Sequence, residues 1–266
     1  MENPNLNSDI LSRFGFRLEK GNTHAARSMM LDDLQALLSC VINPNSVKSD
    51  YLKAIVEENC LGKRSEKTRK ITSMHLGFLY GLDPSITTFR ALRYFWDRDV
   101  AGRPLLALLS AYARDGLVRM SAPVILPLAE GETFHKEKLE EYINRDNPNR
   151  FTEVSLRSVV RNLSATWTKS GHLIEKENKI RTKAKATVGS TAYALFLGYL
   201  CGVRGEALFT TEFAKLLDCS SARAVELAED ASRRGWINFK RIGKVMEVQF
   251  PNLLTAQERE WIHEQN

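Results

Sequence analysis

The chain has few cysteines and no long apolar run, and both shortages narrow the classes of protein to which it can belong. It has four cysteines in 266 residues, and no two stand at a CxxC spacing, so neither a zinc site nor a disulfide framework is predicted. The longest apolar stretch, 191–203, is shorter than the roughly 20 residues of a membrane helix. It predicts a buried helix instead. With a polar start that lacks a signal-peptide core, we expect a cytoplasmic protein with no membrane partner.

Catalytic signatures are missing as well. The chain contains no phosphate-binding loop of the nucleotide hydrolases, no dinucleotide-binding glycine pattern, no HExxH and no GxSxG. Its five histidines are scattered without metal-ligand spacing, and His135 with Glu137 is too small a basis for acid–base chemistry. We therefore expect a protein that is not an enzyme, with no cofactor and no metal.

Positive charge is in excess. The formal net charge is +6 and the sequence pI is about 9.1. Apolar residues make up 43% of the chain and charged residues 26%, proportions that are typical of a globular protein with a packed core. Excess cationic charge favours polyanionic partners, nucleic acid before an anionic membrane.

The pattern of apolar and turn residues predicts a mainly α fold with short β-hairpins. Residues 1–22 are interpreted as a loose arm or a first strand, and 24–41 as one helix. Breaks then divide the chain into a helical N-terminal domain and two smaller modules. The predicted units are 1–130, 131–188 and 189–266.

One local order is seen twice: a short helix, a long amphipathic helix, a glycine and a hairpin. In the middle module the long helix is 151–170, Gly171 ends it, and 172–187 is the hairpin. In the C-terminal module the corresponding helix starts at Ser221, Gly235 ends it, and the hairpin lies around 242–243. This is the layout of a winged helix-turn-helix, in which one helix enters the major groove and the hairpin wing contacts the backbone.

The middle module fits DNA binding better. Its long helix opposes an apolar face with arginines one turn apart, and its hairpin has four cations at alternating positions, 179 to 185, which a strand would place on one face. Phosphate contact would explain that row; the alternative is a solvated edge strand whose lysines prevent aggregation. The candidate contacts are Arg157, Arg161, Lys169, Lys176, Lys179, Arg181, Lys183 and Lys185.

The C-terminal module has the layout but weaker chemistry, because Glu226, Glu229 and Asp230 lie on its long helix and would repel phosphate. DNA contact and protein interaction stay equally open for it. Its candidate contacts are Arg223, Lys240, Arg241 and Lys244.

Two arginine-containing segments lie in the N-terminal domain. The first surrounds a predicted helix start, where free amides suit phosphate but where capping by Ser65 and a plain solvated turn are equally good interpretations. Its candidate contacts are Arg64, Lys67, Arg69 and Lys70. The second interleaves arginines with aromatic residues, as nucleic-acid platforms do, although the spacing favours core packing. It contains Phe89, Arg90, Arg93, Tyr94, Phe95, Trp96 and Arg98.

Three segments of the chain resemble a known family. They are the segment from Leu61 to Thr68, the segment Ala91-Leu92-Arg93-Tyr94-Phe95, and Pro104 to Asp115 with its Ala-Tyr-Ala-Arg-Asp. Over about residues 25–200 the chain is similar to the small A proteins of bacterial BREX phage-exclusion systems. The resemblance implies a helical, DNA-binding protein without an assigned enzymatic activity. It also implies a role in phage defence beside a DNA methyltransferase, an ATPase and other proteins of the same gene cluster.

Three functions are therefore compatible with the sequence. The first is a double-stranded DNA-binding accessory protein of a phage-defence complex. The second is a transcriptional regulator, which would usually dimerise on a palindrome, although no dimer helix is evident. The third is an adaptor whose basic surface binds an acidic protein or RNA.

Overall fold

The computed structural model describes residues 8–18, 23–43, 46–146, 148–243 and 245–264. Helices dominate it and two short antiparallel hairpins accompany them, so the prediction of a mainly α fold with hairpins is confirmed. The helices before residue 130 are α1 (Ser8–Phe14), α2 (Thr23–Ala26), α3 (Leu31–Cys40), α4 (Lys48–Val56), α5 (Glu66–Tyr80), α6 (Thr87–Arg98), α7 (Arg103–Arg114) and α8 (Gly116–Ile125).

Two predictions for the N-terminal residues are wrong. Residues 8–14 of the arm are not a strand or a loose segment but the helix α1, because Ile10, Leu11 and Phe14 fall on one helical face and are buried together. The single helix predicted over 24–41 is divided into α2 and α3. Met30 stands between them in the left-handed region, with φ 52°, and its side chain and that of Met29 are buried.

The middle segment has two helices and a hairpin, as predicted. They are α9 (Lys136–Asp146), α10 (Glu153–Lys169), β1 (Leu173–Ile174) and β2 (Ile180–Arg181). A third extended stretch joins this hairpin: Thr133 bridges Ile180, and the amide of Phe134 donates to the carbonyl of Lys179 at 2.8 Å. The order is therefore helix α8, extended stretch, α9, α10 and hairpin.

The C-terminal segment has a similar order, with a 3-10 turn in place of the extended stretch. A long apolar helix is followed by a 3-10 turn over Gly205–Thr210 that lies beside the last strand. Two helices and a hairpin follow, with β3 and β4 in an antiparallel register that pairs Lys240 with Glu247. The elements are α11 (Val188–Leu200), α12 (Glu212–Lys215), α13 (Ser221–Arg233), β3 (Asn238–Ile242), β4 (Val245–Gln249) and α14 (Ala256–His263).

Helix α11 is buried on nearly every side, as the sequence predicts. It packs on α6 and α7 of the N-terminal part and on α12 and α13 of the C-terminal part. Gly198 permits this packing, because a Cβ there would lie 3.0 Å from Cγ2 of Thr211 and 3.3 Å from Cδ2 of Leu208. One continuous core crosses both predicted domain boundaries, and the division into three units stays a prediction.

A buried polar network joins three distant parts of the chain. Nδ1 of His24 donates to Oδ2 of Asp115 at 2.9 Å, and Nε2 of His24 lies 2.9 Å from Oγ1 of Thr166. The amide of Met29 also donates to Thr166, at 2.9 Å. These bonds hold α2 against α10, because buried polar groups need their hydrogen bonds.

Candidate nucleic-acid interface

Helix α10 presents three different faces. Val159, Val160, Leu163 and Trp167 are buried, and the indole of Trp167 donates to Ser121 at 2.8 Å. A second face contacts α2, where Asn162 donates to the carbonyl of His24 at 3.0 Å. The third face is exposed and carries Val154, Arg157 and Arg161 at helical spacing.

The first hairpin lies beside that exposed face. Nζ of Lys179 donates to Oγ1 of Thr168 at 2.9 Å, and Thr168 stands two helical turns after Arg161. We call the whole of this region the middle surface. It comprises Val154, Arg157, Arg161, Thr168 and the hairpin loop 175–179.

The cations of the middle surface differ in how they are paired. Arg157 forms an ion pair with Glu153, and Lys179 with Glu175 at 2.6 Å. Arg161 and Lys176 are exposed, and neither has an ion-pair partner among the described residues. An exposed ion pair such as Arg157–Glu153 is weak, so the guanidinium of Arg157 remains available to a phosphate.

Two of the predicted contacts of this module are paired with acids of other parts of the chain. Lys169 lies on the flank of α10, where it is paired with Asp32 of α3. Arg181 is buried, with a side chain only 4% exposed, and it forms a bidentate ion pair with Asp218. The four alternating cations do not form one exposed row, because β2 ends at Arg181. After that residue, Lys183 and Lys185 are exposed.

The carboxylate of Asp218 is held ionised by this contact. Burial alone would raise its pKa, but hydrogen bonds from Arg181 and from the amide of Ala184 outweigh burial and place the pKa below its usual value. Asp218 stands in the turn between α12 and α13 with φ 56°. The ion pair thus joins the first hairpin to the C-terminal module.

The C-terminal module offers less unpaired positive charge. On α13, Arg223 is paired with Glu226 at 2.7 Å, and Arg233 with Asp230. On β3, Lys240 and Arg241 are exposed, and Lys240 lies opposite Glu247. Lys244 lies outside the described residues. The hairpin is therefore the more cationic part of this module.

The N-terminal cluster of cations surrounds the start of α5. Ser65 caps the helix by accepting from the amide of Thr68 at 3.2 Å, so the predicted capping role is confirmed. Lys70 is paired with Glu66 at 2.5 Å, and Arg69 is partly buried. Arg64 and Lys67 are exposed without an ion-pair partner among the described residues.

The aromatic segment of α6 packs into the core, which is the interpretation that its spacing favours. Phe89, Phe95 and Trp96 are fully buried. Arg93 is buried too, and it donates to Asp97 and to carbonyls at the end of α3. The pairs His24–Asp115 and Arg181–Asp218 escape sequence reasoning, because no local pattern links residues that far apart in the chain.

Within the described ranges, no group of three or more His, Cys, Asp or Glu side chains is arranged to hold a metal ion. None of the described helices combines the length and the apolar character that crossing a bilayer requires.

Comparisons with known proteins leave the family open. No protein-family model matches the chain, and no curated protein is similar to it. Among solved structures, the one described as "SspB crystal structure" is similar over 96% of this chain and 90% of its own, with 9% sequence identity and a TM-score of 0.49. Similarity at that level supports no inference about function.

Proposed function

We propose that the chain is a non-catalytic, double-stranded DNA-binding accessory protein of a bacterial BREX phage-exclusion system. The observation that supports the DNA-binding part is the order helix, extended segment, helix, helix, hairpin in the middle segment. The C-terminal segment has the same order except that a 3-10 turn takes the place of the extended segment. That order is the topology of a winged helix, whose third helix and hairpin contact duplex DNA.

The middle surface is the DNA-binding surface in this proposal. Its exposed arginines lie along the face of α10 next to the hairpin, which is where the reading helix and wing of such a module meet a duplex. Arg161 faces the groove or its phosphates, and Lys176 at the hairpin loop contacts the backbone. Sequence preference would come from the helix and affinity from phosphate contacts.

The C-terminal module favours a second candidate function, the binding of a partner protein. Helix α13 has three acids against two arginines, whereas α10 has one acid against three cations. The net negative charge of α13 weakens its attraction for phosphate. At the tip of the second hairpin, Ile242 and Val245 are 82% and 73% exposed. A cationic hairpin with an apolar tip suits an acidic protein surface that also buries apolar area.

The defence role rests on the resemblance of the N-terminal and middle residues to the BREX A proteins. The proposed partners are the methyltransferase and the ATPase of the same gene cluster, in the cytoplasm. A regulator of transcription remains the alternative, and it would bind one operator far more tightly than random duplex.

Fluorescence anisotropy with a labelled random-sequence duplex tests DNA binding. Affinity should fall steeply as salt rises, because each phosphate contact releases counterions. The double variant Arg157→Ala/Arg161→Ala should lower the slope of log K against log salt by about 2. Lys48→Ala/Lys53→Ala, which removes two exposed cations from α4, is the matched control and should bind like the original chain.

Failure to bind duplex DNA at low salt would refute the proposal. An acidic protein or RNA would then be the better candidate partner of the basic surface. Equal losses in the test and control variants would show diffuse attraction rather than binding by α10. The defence role is tested separately, by co-purification of the chain with the methyltransferase and ATPase from cells that carry the cluster.

A further inference from the structure

A cavity of about 180 Å³ lies where α4 meets α6, away from the middle surface. A cavity of about 150 Å³ holds one benzene ring, so this one has room for a single flat ring system. Its walls include Tyr51, Phe89, Arg93, Tyr94 and Arg98.

Aromatic rings supply the apolar part of the cavity. Tyr51 and Phe89 pack edge to face with centroids 5.3 Å apart. The guanidinium of Arg98 lies 3.7 Å from the centroid of the Tyr94 ring, which extends that ring into a larger flat wall. Such walls favour a planar ligand that can stack on them.

Two buried polar groups at the cavity lack an acceptor. The side chains of Tyr51 and Arg93 are almost wholly buried, and they interact with each other. A guanidinium can only donate, and neither the Tyr51 hydroxyl nor Nε of Arg93 has an acceptor in hydrogen-bond geometry among the described residues. The other Arg93 nitrogens are engaged, with Asp97 at 3.0 Å and with the carbonyl of Val41 at 2.8 Å. Buried donors are nearly always satisfied, so an acceptor on a ligand is the missing partner.

One cation at the cavity has no acid to neutralise it. Arg90 is paired with Glu258 at 2.5 Å, and Arg93 with Asp97. Arg98 is exposed and donates to the carbonyl of Tyr94 at 2.8 Å, but it has no ion-pair partner in the described chain. A ligand with one anionic group outside the cavity would complete this arrangement.

We propose that the cavity binds a nucleotide, with the base stacked among the aromatic walls and the phosphate on Arg98. A purine or pyrimidine has the flat ring and the edge acceptors that Tyr51 and Arg93 require. A lipid or aliphatic chain would leave both buried donors unsatisfied. A free nucleotide and a base turned out of a strand would be recognised by the same chemistry, and the experiment below distinguishes them.

Isothermal titration calorimetry with the full chain tests this inference. The probes are the four deoxynucleoside monophosphates and single-stranded tetranucleotides of each base. Arg98→Gln should weaken binding by tenfold or more, and Tyr51→Phe, which removes only the hydroxyl, by several-fold. Arg103→Gln is the matched control. Arg103 also stacks on an aromatic ring, that of Trp96, at 5.3 Å, but it does not line the cavity. The Arg103→Gln variant should therefore bind the nucleotide probes with unchanged affinity.

The two kinds of probe distinguish the two sources of the nucleotide. Binding of monophosphates supports a free nucleotide, and binding of tetranucleotides alone supports a base from a strand. No binding of either probe, or equal affinity in the original chain, Tyr51→Phe and Arg98→Gln, overturns the inference. The site is independent of the proposed DNA surface, so Arg157→Ala/Arg161→Ala should bind monophosphates normally even if it no longer binds duplex.

Discussion

The guanidinium of Arg181 holds both carboxylate oxygens of Asp218, each N···O distance being 2.7 Å. A cation that the sequence places in a DNA-binding row therefore stabilises the contact between the first hairpin and the C-terminal module. Its neighbours in the same row, Lys183 and Lys185, are exposed. We therefore expect substitutions at Arg181 to change stability, and substitutions at the exposed lysines to change DNA binding if the proposal is correct.

We expect Arg181→Gln to lower the free energy of unfolding by about 3 kcal/mol, because it leaves the mostly buried carboxylate of Asp218 without its cation. Urea denaturation measures this. The control Lys183→Gln, with a side chain 68% exposed, should change stability by less than about 0.5 kcal/mol. Equal stability of the two variants would contradict the structural role of Arg181.

Removal of the exposed hairpin cations should act on DNA binding instead. The triple variant Lys176→Gln/Lys183→Gln/Lys185→Gln is expected to flatten the salt dependence by up to about 3 in log–log slope, with little change in melting temperature. Anisotropy at several salt concentrations measures the slope. An unaltered slope would show that this hairpin does not touch phosphate.

Stability should fall as the solution becomes mildly acidic, through His172. Burial lowers the pKa of His172 from 6.5 to about 4, so between these values the unfolded chain binds a proton that the folded chain does not. The free energy of unfolding should therefore fall by about 3 kcal/mol as pH drops from 6.5 to 4.

Comparison of His172→Gln with His135→Gln checks this pH dependence by urea denaturation across the same range. The first substitution should remove much of the slope of stability against pH. The second replaces an exposed histidine and should leave the slope unchanged. Parallel slopes in the two variants would count against His172 as the titrating group.

The pair His24–Asp115 should matter at lower pH. Burial would raise the pKa of Asp115, but hydrogen bonds from His24 and from the amide of Leu117 place it below its usual value. Its contribution to stability is therefore present above the unfolded pKa of about 3.9 and is lost as pH falls below it. Asp115→Ala should cost about 3 kcal/mol or more at neutral pH, measured by urea denaturation. A loss below 1 kcal/mol would contradict this.

Much of the fold can be predicted from local signals. The apolar spacing of α10, the cap of Ser65, and the glycines at 171 and 235 place helices and hairpins near their observed positions. The break at Met30 could not be predicted, because the apolar spacing continues through it and only tertiary burial selects the left-handed residue. The candidate site is less predictable still. Lys169 and Arg161 look alike in sequence, and only the position of Asp32, 137 residues from Lys169, distinguishes them.

The position of helix α11 between the N-terminal and C-terminal parts limits how a long ligand such as a DNA duplex could contact both hairpins. The helix packs on both the N-terminal helices and α13, and the ion pair of Arg181 with Asp218 joins the two modules. We therefore expect the two hairpins to keep a fixed orientation relative to each other. A duplex that contacts both hairpins must offer its two contact points at one fixed rotational phase. B-DNA turns once in about 10.5 base pairs. Inserting five base pairs between the two contact points would therefore place one of them on the opposite side of the duplex, where the second hairpin could not reach it.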